Sequence, residues 1–486
     1  MPIGFAAFVA GLRYEDLPDD VLCVLRRSLL DTMGVAAIGS TTGLSAKARA
    51  FARRWWCSAS DAPSSRLLFD GSRASPAGAA MAGAFTIDAI DAHDGYSAVK
   101  GHAGSAVFPS VLAMADLLAG LGRPMDGRGL LTALAAAYEV SYRSGLAQHA
   151  SVPDYHASGA WTAVGVAASC AKLLGLEAEG IRQAAGIAEY HGPRSQMMRC
   201  IDFPTMVRDG VGWGAPTGLS AALLAELGFT GAPAITAESE EAAPFWSDLG
   251  ARWEILHTHY KPYPVCRWAH SSIDAAADLM RDNGLQSHDV ERVRIRTFHY
   301  ATRLAGHAPQ TLDELTYAIA FPVATMIARG RIGAEELSPS VLHDPEILRI
   351  SRAIELVELD HYTRISTRQR WADVTLYLTD GRALESGPRT PRGDPEMPLS
   401  DAEIAAKFHL FATPVLGGRR AAEIEERCGA VDRPGADLGR LLDLVLAPGV
   451  LASGVLASGV VAPGLPERVG LSAAREGGTM LEQVGI

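Results

Sequence analysis

Most of the chain shows apolar residues recurring at i, i+3, i+4 and i+7, interrupted by short polar stretches, which is the signature of amphipathic or buried helices. The pattern predicts helices over 4–12, 18–39, 43–59, 76–93, 105–120, 128–146, 160–175, 180–190 and 215–228. Leu17-Pro18-Asp19-Asp20 is a good helix start, with proline in the first turn and acids at the positive end of the dipole. The 18–39 segment is apolar over most of its circumference and reads as a core helix, with Asp31 a satisfied structural acid. The periodicity changes near 252. Residues 290–298 alternate with period two and read as a strand, and 372–385 read as a hairpin turning at Asp380-Gly381. Helical pattern surrounds them at 271–283 and 311–329 and returns over 400–445. The expected fold class is mainly α, with a helical domain over 1–255 completed by 396–445 and an α+β segment over 256–395. Residues 446–486 open on a low-complexity Gly/Ala/Val/Leu/Pro repeat, expected to be a loosely packed tail.

Composition narrows the function. The 486 residues carry a formal net charge of -11 and no basic stripe with interleaved aromatics, which argues against a nucleic-acid partner. The six cysteines form neither a CxxC nor a zinc-type spacing, so free thiols in a reducing compartment are expected. The first twenty residues have no basic lead and no bilayer-length apolar run. The protein is therefore expected in the cytoplasm, with no membrane partner.

Candidate chemistry is concentrated in Asp88–Pro109, where Asp88, Asp91, His93, Asp94, Lys100 and His102 fall within fifteen residues. Buried carboxylates need partners, so such a cluster is either solvated or functional. Spacing predicts that Asp88, Asp91 and Gly95 share a helix face and that a following loop returns Lys100 and His102 to it. Carboxylate, ammonium and imidazole would then meet. Further candidates are His156, the 199–209 stretch with Arg208, and Lys261–His270 with Cys266. Asp, His and Lys together suit removal of a proton next to a carboxylate, while Lys and Arg suit binding of the carboxylates. Bland readings stand beside these. His156 taken alone reads first as a satisfied histidine, Cys266 as a small buried hydrophobe, Trp55-Trp56 as core packing, and Glu139/Arg143 as a local i, i+4 pair. His257-Thr-His259 lacks a third ligand at helpful spacing, so no metal is assigned. The Gly210–Gly214 loop is neither GxGxxG after a strand nor a P-loop, and G-x-S-x-G is absent.

In order along the chain, Tyr14-Glu-Asp-Leu-Pro18, Leu30-Asp31-Thr-Met-Gly34, Asp91…Gly101-His102, Tyr138-Glu139-Val140…Arg143, Tyr155-His156, the Gly210–Gly218 loop and Lys261-Pro-Tyr-Pro264…Cys266…His270 appear. Together they resemble the MmgE/PrpD family of 2-methylcitrate dehydratases, cis-aconitate decarboxylases and iminodisuccinate epimerases, from about residue 5 to about 415. The resemblance implies a helical body with an α+β lid over 256–395, an active site in the cleft between them, a homodimer and no cofactor. It places Asp91, His102, His156 and Lys261 on the family's active-site acid, two histidines and lysine; Lys100, Arg208, Cys266 and His270 are candidate substrate contacts by residue type and position. Three departures stand out. Gly95 lies where decarboxylase-like members have threonine, Ala103-Gly104 follows His102 where many have Pro-Ser, and the second active-site lysine has only Arg208 nearby. The expected activity is elimination of water from a small di- or tricarboxylate, with epimerisation, decarboxylation or carboxylate binding without chemistry as alternatives.

Overall fold

A computed structural model describes residues 4–59 and 62–449. The helix Asp19–Gly39 starts after Pro18 and is buried almost all round from Ser28 onward. It packs against the late helix Asp401–Leu416, where Lys407 donates to Asp31 at 2.6 Å and to the Ala92 carbonyl at 2.8 Å. Asp31 is thus a paired structural acid. Helices Pro76–Asp88, Gly104–Gly120, Gly127–Ser151, Gly159–Leu174, Ala178–His191 and Val211–Glu226 pack on one another to form the body. Their small residues permit close crossings: a Cβ on Gly165 would lie 2.0 Å from Ser141 Oγ and 2.4 Å from the Ala137 carbonyl. Arg143 is buried with Glu139 at 3.1 Å, and also reaches Asp248 at 2.7 Å, so the local pair is part of a wider clamp.

Two short strands, β1 (Ser65–Arg66) and β2 (Arg73–Ala74), pair antiparallel in the 61–75 connection. A mixed sheet follows later, built from β3 (Val290–Thr297), β4 (Ile354–Glu358), β5 (Ala372–Leu378) and β6 (Ala383–Glu385) in the order β4-β3-β5-β6. β3 pairs parallel with β4 (Ile295 opposite Leu356) and antiparallel with β5 (Ile295 opposite Val374), while β5 and β6 form the predicted hairpin. Helix His270–Asp282 packs on β5 and on helix Ala320–Arg329.

Several expectations need correction. The predicted 311–329 helix is two helices, Leu312–Thr316 and Ala320–Arg329. Pro322 has no N–H to continue a helix through this point and sits in the second helix's first turn. The break leaves Thr316 and Tyr317 buried against the helical body. The 76–93 helix stops at Asp88. Trp55 is 63% exposed, not core, while Trp56 packs edge-on against Phe51 and Trp213. Of the tail, residues 446–449 pack on the body, with Leu446 buried and Arg420 donating to the Pro448 carbonyl at 2.6 Å. The rest of that segment lies outside the described residues. Among the described residues no helix is long and apolar enough to cross a membrane, and all six cysteines are free.

Candidate active site

Where helix Pro76–Asp88 ends, the chain turns sharply and Asp91 adopts a left-handed backbone with φ 51°. That conformation is uncommon outside glycine and asks for external support. Lys261 supplies it, bonding the Asp91 carboxylate and donating to its carbonyl at 2.9 Å. Both side chains are sealed from solvent, Lys261 at 1% exposure. Asp88, Asp91 and Gly95 therefore do not share a helix face, and the ammonium that meets Asp91 belongs to Lys261, not to Lys100. Lys100 is solvent-exposed, with its ammonium over the Tyr155 ring at 5.5 Å.

Around this pair stand three histidines. His93 Nε2 donates to Asp88 at 2.9 Å, and its ring lies 4.3 Å from that of His102. His102 Nδ1 donates to the Asp94 carbonyl at 2.6 Å, which fixes the proton there and leaves Nε2 as the basic nitrogen. Asp91, His93 and His102 present ligand-type atoms within 4.8 Å of one another. Burial first, then the charge of Lys261, pulls the His102 pKa well below the ordinary imidazole value. At neutral pH it is therefore an uncharged base. His259 joins through backbone bonds, Gly95 N–H to His259 O at 3.0 Å and His259 N–H to Gly95 O at 2.7 Å. These tie the 88–102 loop to the Lys261 segment.

Behind His102, its backbone N–H donates to Ser158 Oγ at 3.0 Å, and Ser158 is bonded to Asp209. Asp209 N–H reaches Asp88 at 3.2 Å, which brings two carboxylates together. Burial and the Asp88 charge push Asp209 well up. Burial also opposes the Asp88 anion, but the hydrogen bond and charge of His93 outweigh it and hold Asp88 down. Asp94, accepting from Tyr138 at 2.5 Å and from Gly104 N–H at 3.2 Å, is raised by burial to about 6.

The remaining candidates are placed differently. His156 is half-buried, its Nδ1 donating to the Asp154 carbonyl at 2.8 Å. No hydrogen bond joins its ring to Asp91 or His102, though it neighbours Ser158 along the chain. Arg208 is buried and consumed by protein partners: the Thr316 hydroxyl at 2.5 Å, the Ala89 carbonyl at 2.5 Å and Asp313 at 2.8 Å. It ties the helical body to the sheet-containing part rather than presenting a free fork to a substrate. Cys266 is a buried thiol, pushed by burial up to about 12. His270 is buried with Nε2 on the Val265 carbonyl at 3.0 Å, and burial holds it neutral.

The trio Asp91, His93 and His102 has the donor types of a metal site. Its geometry fits a cation poorly, because the Lys261 ammonium already neutralises Asp91 and His93 Nε2 is committed to Asp88. Sequence reading did not single out Tyr317, which comes from a distant segment with no local signal. Tyr317 is buried, with its ring under Arg208 at 5.6 Å, and its hydroxyl is pushed well up by burial and by the charges of Cys200, Asp91 and Asp88.

Residues 4–248 match the MmgE/PrpD N-terminal domain and residues 263–430 the MmgE/PrpD C-terminal domain. A cis-aconitate decarboxylase of Aspergillus terreus is similar at 23% identity over 477 residues, covering 91% of this chain and 95% of the relative. The cis-aconitate decarboxylase of Homo sapiens is similar at 24% identity over 433 residues, covering 85% and 88%, and that of Mus musculus at 23% over 437 residues, covering 85% and 86%. With two consecutive domain matches across most of its length, the chain belongs to the MmgE/PrpD family.

Proposed function

We propose that this chain is a lyase that moves a proton at the carbon next to a carboxylate of a small di- or tricarboxylate. The observation that carries the reading is His102, a neutral imidazole with its basic Nε2 left open beside the sealed Lys261–Asp91 pair. In an elimination, His102 Nε2 takes the α-proton, the C–H electron pair becomes the new C=C bond, and hydroxide leaves with a proton as water. Lys261 stabilises the charge that develops on the adjacent carboxylate. Asp91 holds Lys261 in place, and the half-buried His156 is the candidate proton donor to the leaving group. Loss of CO2 is the second reading, favoured by the names of the relatives. There the C–C bond to the departing carboxylate breaks, its electrons shift through the double bond to the far carbon, and that carbon takes a proton from water relayed through His102 Nε2.

The helical domain over 1–255 with 396–445, and the α+β lid over 256–395, remain our proposed division of labour. The Lys407 bridge from the late helix to Asp31 and Ala92 supports it. Pairing with a second copy is proposed with it, and light scattering on the purified chain tests that part.

Proton NMR in D2O with methylcitrate, citrate, cis-aconitate and iminodisuccinate tests the chemistry. A new alkene, a decarboxylated product or deuterium at an α-carbon distinguishes dehydration, decarboxylation and epimerisation. His102→Ala is expected to abolish the change by several powers of ten while the fold persists. Unchanged spectra with every compound would sink the lyase reading.

A further inference from the structure

At one end of the helical body, where helices Gly104–Gly120 and Gly159–Leu174 finish and helix Gly127–Ser151 begins, the surface folds into a groove of about 390 Å3. Four cations line it, Arg13, Arg123, Arg128 and Lys172. Among the described residues lining it there is no carboxylate, in a chain whose net charge is -11. The acids that flank it are engaged. Asp432 accepts from the Tyr14 hydroxyl and from Arg26, each at 2.7 Å, and Asp126 caps its helix by accepting from Gly129 N–H at 2.8 Å. Asp16 holds Arg13 at 3.1 Å. The Lys172 ammonium donates to the Val9, Ala10 and Leu12 carbonyls at 2.8, 3.2 and 2.8 Å, so it is fixed at the groove wall by neutral acceptors. Arg123 and Arg128 are the least engaged. Arg123 makes one long contact, to the Leu174 carbonyl at 3.4 Å. Arg128 reaches the Asp432 carbonyl at 3.4 Å and Glu15 only at 3.8 Å, while its guanidinium rests on the Tyr14 ring at 4.8 Å, which holds it in place.

We propose that this groove binds a small organic phosphate, its phosphoryl group gripped between the Arg123 and Arg128 guanidinium groups in the field of Lys172. Scattered surface arginines are solvated and need no ligand. These converge on one concavity, with like charges gathered and no acid among them, and an anion seated there relieves their mutual repulsion. Guanidinium forks match carboxylate and phosphate alike. A phosphoryl group carries about -1.5 to -2 on one centre at neutral pH, so it meets both forks at once, whereas one carboxylate neutralises only one. Leu118, Met125 and Leu173 supply an apolar wall for the organic part. The groove is separate from the Asp91–Lys261 centre: Arg128 lies about 15 Å along its helix from Tyr138, the donor to Asp94. The proposal therefore stands apart from the lyase reading.

Isothermal titration of the full chain with phenyl phosphate, and with tricarballylate as the carboxylate control, tests the groove. Arg123→Gln and Arg128→Gln are each expected to weaken phenyl phosphate by about 10-fold, the order of one lost charge-assisted hydrogen bond. Both side chains are exposed, so the unfolding midpoint of each variant should match wild type. Tricarballylate affinity should be unchanged in both variants, and phenyl phosphate affinity unchanged in His102→Ala. No phenyl phosphate binding by the wild type, or full affinity in both glutamine variants, overturns the site. A loss in His102→Ala in place of the glutamine variants puts the phosphate in the catalytic centre and overturns it too. Tricarballylate weakened as far as phenyl phosphate makes the groove a general oxyanion site and overturns the assignment to phosphoryl groups.

Discussion

Lys261 and Asp91 join two distant segments of the chain at one point: the ammonium bonds the carboxylate and, at 2.9 Å, the carbonyl of the same left-handed residue. One side chain thus neutralises a buried acid and holds the backbone turn that aims it. Lys261→Met leaves Asp91 charged, buried and unpaired, a change that costs about 3–5 kcal/mol. Asp91→Asn combined with Lys261→Met should restore much of that loss, because the uncompensated charge is gone. Urea denaturation of the two singles and the double measures this. Simple additivity would mean the pair does not act as a unit.

Gly95 is a point of close approach. A Cβ there would sit 2.6 Å from His102 Nδ1 and 2.7 Å from His259 Nε2, although its backbone is open to any residue. Gly95→Ala must push apart two rings and disturb the His102–Asp94 bond that fixes the basic nitrogen. Turnover should fall by about 100-fold, as expected for misplacing a reacting group by roughly an ångström, with about 1–3 kcal/mol of stability lost to overpacking. An alanine variant as active as wild type would show that the two rings yield without consequence for the reaction.

The helical body was legible because its core helices are Ala- and Leu-rich apolar runs of helical length set between short polar stretches, and the β5–β6 hairpin because Asp380-Gly381 marks its turn. β4 escaped notice because Ile354–Glu358 is a short strand with only Ile354 buried. At the site, Asp91, His102 and Lys261 converge as the residue types suggested, but the spacing argument for a shared helix face failed. It assumed that the helix ran past Asp88, and the left-handed turn at Asp91 depends on a lysine 170 residues away. The partners of Arg208 were hidden for a related reason: a cation beside a Gly-rich loop reads as an anion ligand, and Asp313 and Thr316 reach it from another segment.

Arg208 should behave as a strut. Arg208→Ala removes a buried guanidinium that satisfies the Ala89 carbonyl, Thr316 and Asp313, and should cost about 3–5 kcal/mol. Arg208→Lys retains the charge but cannot span three acceptors, so it should fall between. Per folded molecule, KM for the carboxylate substrate should stay unchanged in the lysine variant. A KM that rises while the unfolding midpoint holds would return Arg208 to the substrate site.

The acid limb of kcat/KM follows from His102. Its pKa is pulled down in the folded protein, first by burial and then by Lys261, so the basic form persists below the pH at which a free imidazole takes up its proton. Activity should therefore hold as pH falls through about 6.5 and drop only at lower pH, because protonation removes the base. A kcat/KM profile in the free-enzyme regime measures this. A limb at or above the ordinary imidazole value that is absent from His156→Gln would assign it to His156 instead.

Stability should carry a related signature at His149, whose Nδ1 donates to the Gly145 carbonyl at 2.9 Å while its Nε2 is buried without a partner. Burial pulls its pKa down to about 4. The unfolded chain takes the proton near the ordinary value and the folded chain resists it, so the unfolded state binds more protons between those two pH values. Stability contributed by this group is therefore lost as pH falls from about 6.5 towards 4, by up to about 3 kcal/mol. His149→Phe removes the titration and keeps the ring volume. Urea unfolding at pH 7.5 and 4.5 should show wild type losing more stability than the variant across that interval. Parallel losses would mean that the imidazole is protonated in the folded state without penalty, through an opening of the 149–156 region that lets water reach Nε2.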